Sequence, residues 1–154
     1  MLKLEKSIEI DAPVETVFAY VVEPAHHPEW DPGVDAVKAI QRLPDGRSTY
    51  TSVGKLLGLP LDWQEEQVEV IPNERIVLTS HGTGLEVTTT FRFEQLDGGK
   101  THMRFVSEIT MHGPGPLARF GETFLEKYLV HGGEKAFAAV KAHIEAEARA
   151  ATPI

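Results

Sequence analysis

Between Gly33 and His112 the sequence breaks into six alternating segments with hardly a helical window, and that run constrains the fold more than any other feature. Residues near 34 to 42, 48 to 57, 61 to 71, 74 to 81, 84 to 96 and 100 to 112 read as strands. Pro44-Asp45-Gly46, Gly58-Leu59-Pro60, Pro72-Asn73, Gly82-Thr83-Gly84 and Asp97-Gly98-Gly99 separate them, all turn-forming combinations. Connections this short join antiparallel neighbours, because a parallel crossover needs about a dozen residues or more. The alternation is clearest in the last two segments. Val87, Thr89, Phe91 and Phe93 point one way, and Met103, Phe105, Ser107, Ile109 and Met111 do likewise.

Residues 2 to 10 form one more half-buried strand, with Leu2, Leu4, Ile8 and Ile10 on one parity. The period then changes: Val14, Val17, Phe18 and Val21 share one helical face, with Pro13 suited to a first turn and Asp11 placed where a capping carboxylate is useful. Pro24 ends this helix, and a second short helix or turn is expected over residues 24 to 30, before Pro32 and Gly33. Beyond the His112-to-Pro116 stretch, HGPGP, a helical pattern runs to about residue 149. Leu117, Phe120, Phe124, Tyr128, Phe137, Val140 and Ile144 make a broad apolar stripe, and Gly132-Gly133 is a candidate kink.

This order predicts an α+β fold: a curved antiparallel sheet of about seven strands wrapped around a long C-terminal helix, with two short helices after the first strand. Seven strands spaced about 4.8 Å apart span roughly 30 Å, whereas one helix with its side chains is about 10–12 Å wide. The space left over is either filled by large side chains or occupied by a ligand. Its expected wall is aromatic, from Phe91, Phe93, Phe105 and Met111 on the sheet and Phe120, Phe124 and Tyr128 on the helix. Thr89 and Ser107 supply hydroxyls, with Ser80 a further candidate, Trp63 adds a second indole, and Trp30 of the HHPEW stretch closes one end, as a plug or as a ligand contact.

Charge and composition narrow the function classes. The chain has 154 residues, a length that fits one domain over residues 1 to 154, and a net charge of -8 with its basic residues scattered singly. Phosphate backbones and anionic lipid surfaces would repel such a molecule, so no nucleic-acid partner is expected. With no cysteine, thiolate nucleophiles and Cys-containing metal sites are excluded. No stretch approaches about 18 consecutive apolar residues and the N-terminus lacks the apolar run of a signal peptide, which predicts a cytoplasmic protein without stable membrane insertion. Seven histidines include no HExxH-like pair, and His26 and His27 read as solvent-facing, so no metal is expected. Phosphate-binding loops and a GxSxG elbow are likewise missing, and no cofactor is implied.

Acid-base chemistry is the enzymatic route left open, since it needs only a shaped pocket and one or two proton carriers. Glu65 or Glu66 is a candidate; Trp63 shares parity with Glu65, whereas Val68 and Val70 share it with Glu66, and a bulge would be needed to put both Trp63 and Val68 inside. His81 and His112 sit near strand ends, within reach of a cavity mouth or of water.

The opening strand, the IDAPVETVFAYVVEPAHHPEWDP segment, the VEVIPNERI turn and the long terminal helix resemble the START-like (SRPBCC) helix-grip superfamily, in particular its bacterial polyketide cyclase/dehydrase and lipid-transport group. The resemblance covers essentially the whole chain. It implies one strand, two short helices, six strands and a long helix enclosing a ligand cavity, with a Trp such as Trp30 packed inward after the short helices. Where such proteins often have a second proline in the turn, this chain has Asn73. Members include lipid carriers, hormone receptors, aromatase/cyclases and co-chaperones, so three readings stand: a carrier of a small hydrophobic or amphipathic molecule, a polyketide cyclase, aromatase or dehydratase, and a protein-interaction module.

Overall fold

A computed structural model describes residues 2–56, 58–112 and 121–151. Seven strands, β1 (Leu2–Ile10), β2 (Val34–Arg42), β3 (Ser48–Leu56), β4 (Leu59–Ile71), β5 (Arg75–Gly82), β6 (Leu85–Leu96) and β7 (Lys100–Met111), form one antiparallel sheet in the order β1-β7-β6-β5-β4-β3-β2. The turn residues named above lie between them, except that Leu59 and Pro60 open β4 and Gly82 ends β5, and each strand boundary falls within two residues of its expected place. Sequence-adjacent strands from β2 to β7 pair through these turns, while β1 joins the far side of β7. The first two strands therefore occupy opposite edges. The chain between them, α1 (Val14–Val22), a 3₁₀ turn at Pro24–His26 and α2 (His27–Trp30), carries the connection from one edge to the other.

Local chemistry departs from expectation at four places. Asp11 does not cap α1; the Val14 N–H instead donates to Gln95 Oε1 of β6 at 3.0 Å, so a strand side chain satisfies a helix-end donor. The C-terminal helix, α3 (Glu122–Ala151), runs helical through Gly132 and Gly133. In β4 the pairing to β5 jumps between Gln67 and Glu69, leaving Val68 as the extra, exposed residue of a bulge. Before that bulge Leu61, Trp63, Glu65 and Gln67 share the inner face; after it Val70 joins the core. Asn73, finally, holds φ 61, with the Glu74 N–H donating to Ile71 O at 3.0 Å. Proline there would be locked near φ −65°, so at the position that departs from the family pattern this turn takes a residue that adopts a left-handed φ, as asparagine does.

The buried apolar side chains fall into two clusters. One packs α1, α2 and the C-terminal half of α3 onto the sheet through residues such as Val17, Phe18, Trp30, Phe91, Phe137 and Ile144. The other gathers Leu61, Leu85, Ile109 and Leu125, with Leu4, Trp63, Val87 and Leu129 against them. Among the described residues no helix is long and apolar enough to cross a membrane.

Candidate functional site

Between these two clusters lies a cavity of about 290 Å³. Trp30, Phe91 and Phe105 face it from the first cluster, and Leu4, Trp63, Leu85, Val87, Ile109 and Leu129 from the second. The void is thus the place where neither half of the core reaches the other, as a sheet wider than its helix requires. On the helix side the wall is Tyr128, Leu129, His131, Gly132, Gly133, Lys135 and Ala136. A Cβ placed on Gly132 would meet nothing within 4 Å. Two adjacent glycines inside a helix cost about 1 kcal/mol each relative to alanine. Here they leave space and produce no break.

One end of the cavity is built by the short segment that holds Trp30. Pro28 starts the turn of α2, the Asp31 N–H closes it on His27 O at 3.0 Å, and Asp31 Oδ1 accepts the Gly33 N–H at 2.9 Å. Gly33 then lies against β3, where a Cβ on Gly54 would fall 1.9 Å from Gly33 O, so only glycine admits this approach. Held this way, His27, Trp30 and Asp31 project from one helical turn onto the wall. Trp30 is 8% exposed, with its ring stacked on His27 and set edge-on to Phe91 at 6.1 Å. Its indole N–H has no partner among the described residues. Further ring contacts from Phe91 to Phe105 and from Phe105 to Phe137 continue an aromatic row from α2 across β6 and β7 to α3.

The polar groups concentrate at the same end. His27 is 4% exposed, not solvent-facing as expected; its Nε2 lies 3.1 Å from Asp31 Oδ2 and its Nδ1 2.8 Å from the Tyr50 hydroxyl. Adjacent His26 turns away, stacks on Tyr20, and places Nδ1 2.9 Å from Tyr20 O. Burial opposes a charge on His27, but the Asp31 carboxylate outweighs it and, with the field of Glu65, raises the imidazole above its ordinary value. Burial pushes Asp31 up, but the hydrogen bond to His27, the His27 charge and the Gly33 N–H together outweigh it and leave the carboxyl lowered. Tyr50 is pushed well above the usual phenol range by burial and by the Glu65 and Asp31 charges, and stays a neutral hydroxyl.

Glu65, 5% exposed, reaches the wall from β4. Ser52 Oγ donates to its Oε1 at 2.8 Å from β3, and Ser80 Oγ donates to its Oε2 from β5, so both neighbouring strands hold the carboxylate. Across the cavity Thr89 and Ser107 hydroxyls meet at 2.8 Å.

Of the residues singled out from sequence, Trp30, Trp63, Thr89, Phe91, Phe105, Ser107, Tyr128 and Glu65 come together on this wall. Phe93 shares the face of Phe91 but packs edge-on against Phe18 of α1, with ring centroids 5.5 Å apart. Met111 and Phe124 are exposed and lie off the wall, and Phe120 lies outside the described residues. Glu66 and His81 point outward, while His112 Nε2 sits 3.0 Å from Glu86 Oε2 at the surface. Ser80, a candidate for the inner face by alternation, reaches this wall; sequence reasoning missed His27, Asp31, Tyr50 and Ser52, for which the signal at hand is the spacing of His27, Trp30 and Asp31 at i, i+3 and i+4. Among the described residues no cluster of His, Asp and Glu has the form of a metal site.

The family model for polyketide cyclase/dehydrase and lipid transport proteins matches residues 1–145. An uncharacterized 17.2 kDa protein of Streptomyces lincolnensis is 27% identical over 122 residues, 79% of this chain and 77% of that protein. The Zhui aromatase/cyclase of Streptomyces sp. R1128 superposes with a TM-score of 0.86 at 15% identity, covering 99% of each chain. A START superfamily protein of Mycobacterium smegmatis gives 0.78 at 18% identity, over 93% of this chain and 97% of that one. At these identities the structural likenesses establish the helix-grip fold.

Proposed function

The chain belongs to the polyketide cyclase/dehydrase and lipid transport family, and from that premise we propose that it holds a small, largely apolar molecule in the cavity between sheet and α3, with the polar end of that molecule at Glu65 and the His27–Asp31 pair. One observation carries this reading: α3 places two adjacent glycines where it crosses the cavity, and a side chain on Gly132 would enter open space. Selection for stability alone would favour alanine there. The volume, about 290 Å³, lies at the lower end of the roughly 300–1,000 Å³ usual for ligand sites, which suits a molecule of two or three rings or a short chain. Native mass spectrometry of protein purified from its own host, combined with displacement of a hydrophobic dye, tests it. A carried small molecule that competes with the dye supports the reading; an empty protein that admits no probe removes it.

A second reading, acid-base catalysis on a polyketide-like substrate, draws support from the buried Glu65 carboxylate and the raised His27 on one wall. A solved structure of the same fold is described as an aromatase/cyclase. A bell-shaped pH–rate profile that loses one limb in Glu65→Gln or His27→Phe supports catalysis; turnover indifferent to both rules these groups out.

A further inference from the structure

Resting on the reading of the cavity as a ligand site, we propose that its ligand carries an uncharged hydroxyl, phenolic or alcoholic, which donates to Glu65, and that carboxylate-headed molecules such as fatty acids are selected against. The inner polar end is built as an acceptor. Glu65 comes from the middle of the sheet, is almost wholly buried, and receives one serine hydroxyl on each oxygen. A carboxylate offers about four lone-pair sites, so two remain after Ser52 and Ser80 have donated. Among the described residues no lysine or arginine pairs with Glu65. Among the described residues His27, the buried histidine nearby, is already engaged by Asp31.

Among the remaining charged wall residues Asp31 adds a second carboxylate beside His27, with its side chain 34% exposed, and Lys55, Lys135 and His131 are exposed. An anionic head would have to face buried carboxylate charge in a poorly screened setting. A hydroxyl instead supplies the donor that Glu65 can still accept, and hydrogen bonds to a charged partner are the stronger kind. Thr89 and Ser107 use one hydroxyl hydrogen between them and keep the other, a single neutral donor on the wall.

The test uses three probes that share one apolar frame: naphthalene, 2-naphthol and 2-naphthoate, titrated calorimetrically near neutral pH. The expected result is 2-naphthol at least about tenfold tighter than 2-naphthoate, about 1.4 kcal/mol, with that ratio falling below about threefold in a folded Glu65→Gln protein. Naphthoate binding as tightly as naphthol, or a ratio unchanged by Glu65→Gln, overturns the head-group assignment while saturable naphthalene binding leaves the cavity reading standing. Binding of none of the three overturns both. Should Glu65→Gln fail to fold, the ratio measured on the unsubstituted protein decides alone.

Discussion

The imidazole of His27 lies flat on the indole of Trp30, ring centroids 4.5 Å apart and planes 14° from parallel. A titratable ring and the cavity wall are thereby one stack, fastened on its far side by Asp31 and Tyr50. The same contact explains why a large indole sits in a stretch too short for regular structure. It closes the first core cluster and faces the void at once.

The protonation of His27 is therefore expected to be visible in stability. Its pKa in the folded protein is raised above 6.5, so its contribution is complete below that pH and is lost as pH climbs through the folded value. Asp31 is lowered from 3.8, so its contribution is complete above that and is lost as pH falls through its folded value. Asp31→Asn should cost about 1–3 kcal/mol between those limits, with the difference shrinking at alkaline pH. Denaturant titrations across pH, with NMR titration of the His27 ring, measure both. A His27 midpoint at or below the ordinary value would refute the pairing.

Trp30→Ala should destabilise the protein by about 3–5 kcal/mol, the range for emptying a large aromatic site. It should also weaken probe binding when compared at equal folded fraction. Unchanged affinity would make Trp30 a plug without ligand contact.

Gly132→Ala is expected to stabilise α3 by about 1 kcal/mol, because alanine outranks glycine in a helix and its methyl meets no neighbour. Thermal and urea unfolding would show it. A loss of stability would mean the space beside Gly132 is not open.

Asn73→Pro is expected to destabilise by about 1–3 kcal/mol, since the left-handed φ of the Pro72-Asn73 turn is closed to proline. Asn73→Gly should be tolerated. Chemical denaturation of the two variants separates conformational strain from loss of the Asn side chain.

Much of the scaffold was legible because period-two alternation and turn chemistry are local signals. The strand ends at Pro44-Asp45-Gly46 and Asp97-Gly98-Gly99 could be read directly. Periodicity reports which face a residue occupies and says nothing of its place along a curved strand. Phe91 pairs with Phe105 and Thr89 with Ser107 mid-strand, over the cavity. Phe93, two residues on, is already under α1, and Met111 opposite Leu85 has passed the edge of the cover. In β4 the parity of Trp63 with Glu65 was visible, but the Val68 bulge that lets Val70 rejoin the core is a pairing event between strands. His27 was missed because a four-residue helix carries too little period to assign a face. Alternation could place Ser80 on the inner face, but that it and Ser52 meet on Glu65 is set by pairing across three strands.

The most direct test of the account is calorimetric titration of 2-naphthol into the unsubstituted protein and into Gly132→Phe, each shown to be folded by circular dichroism. Saturable one-to-one binding in the first, abolished by a phenyl ring projected into the cavity in the second, is the result expected. Equal affinity in both, or no saturable binding of either 2-naphthol or naphthalene by the unsubstituted protein, would contradict the assignment of this cavity as the ligand site.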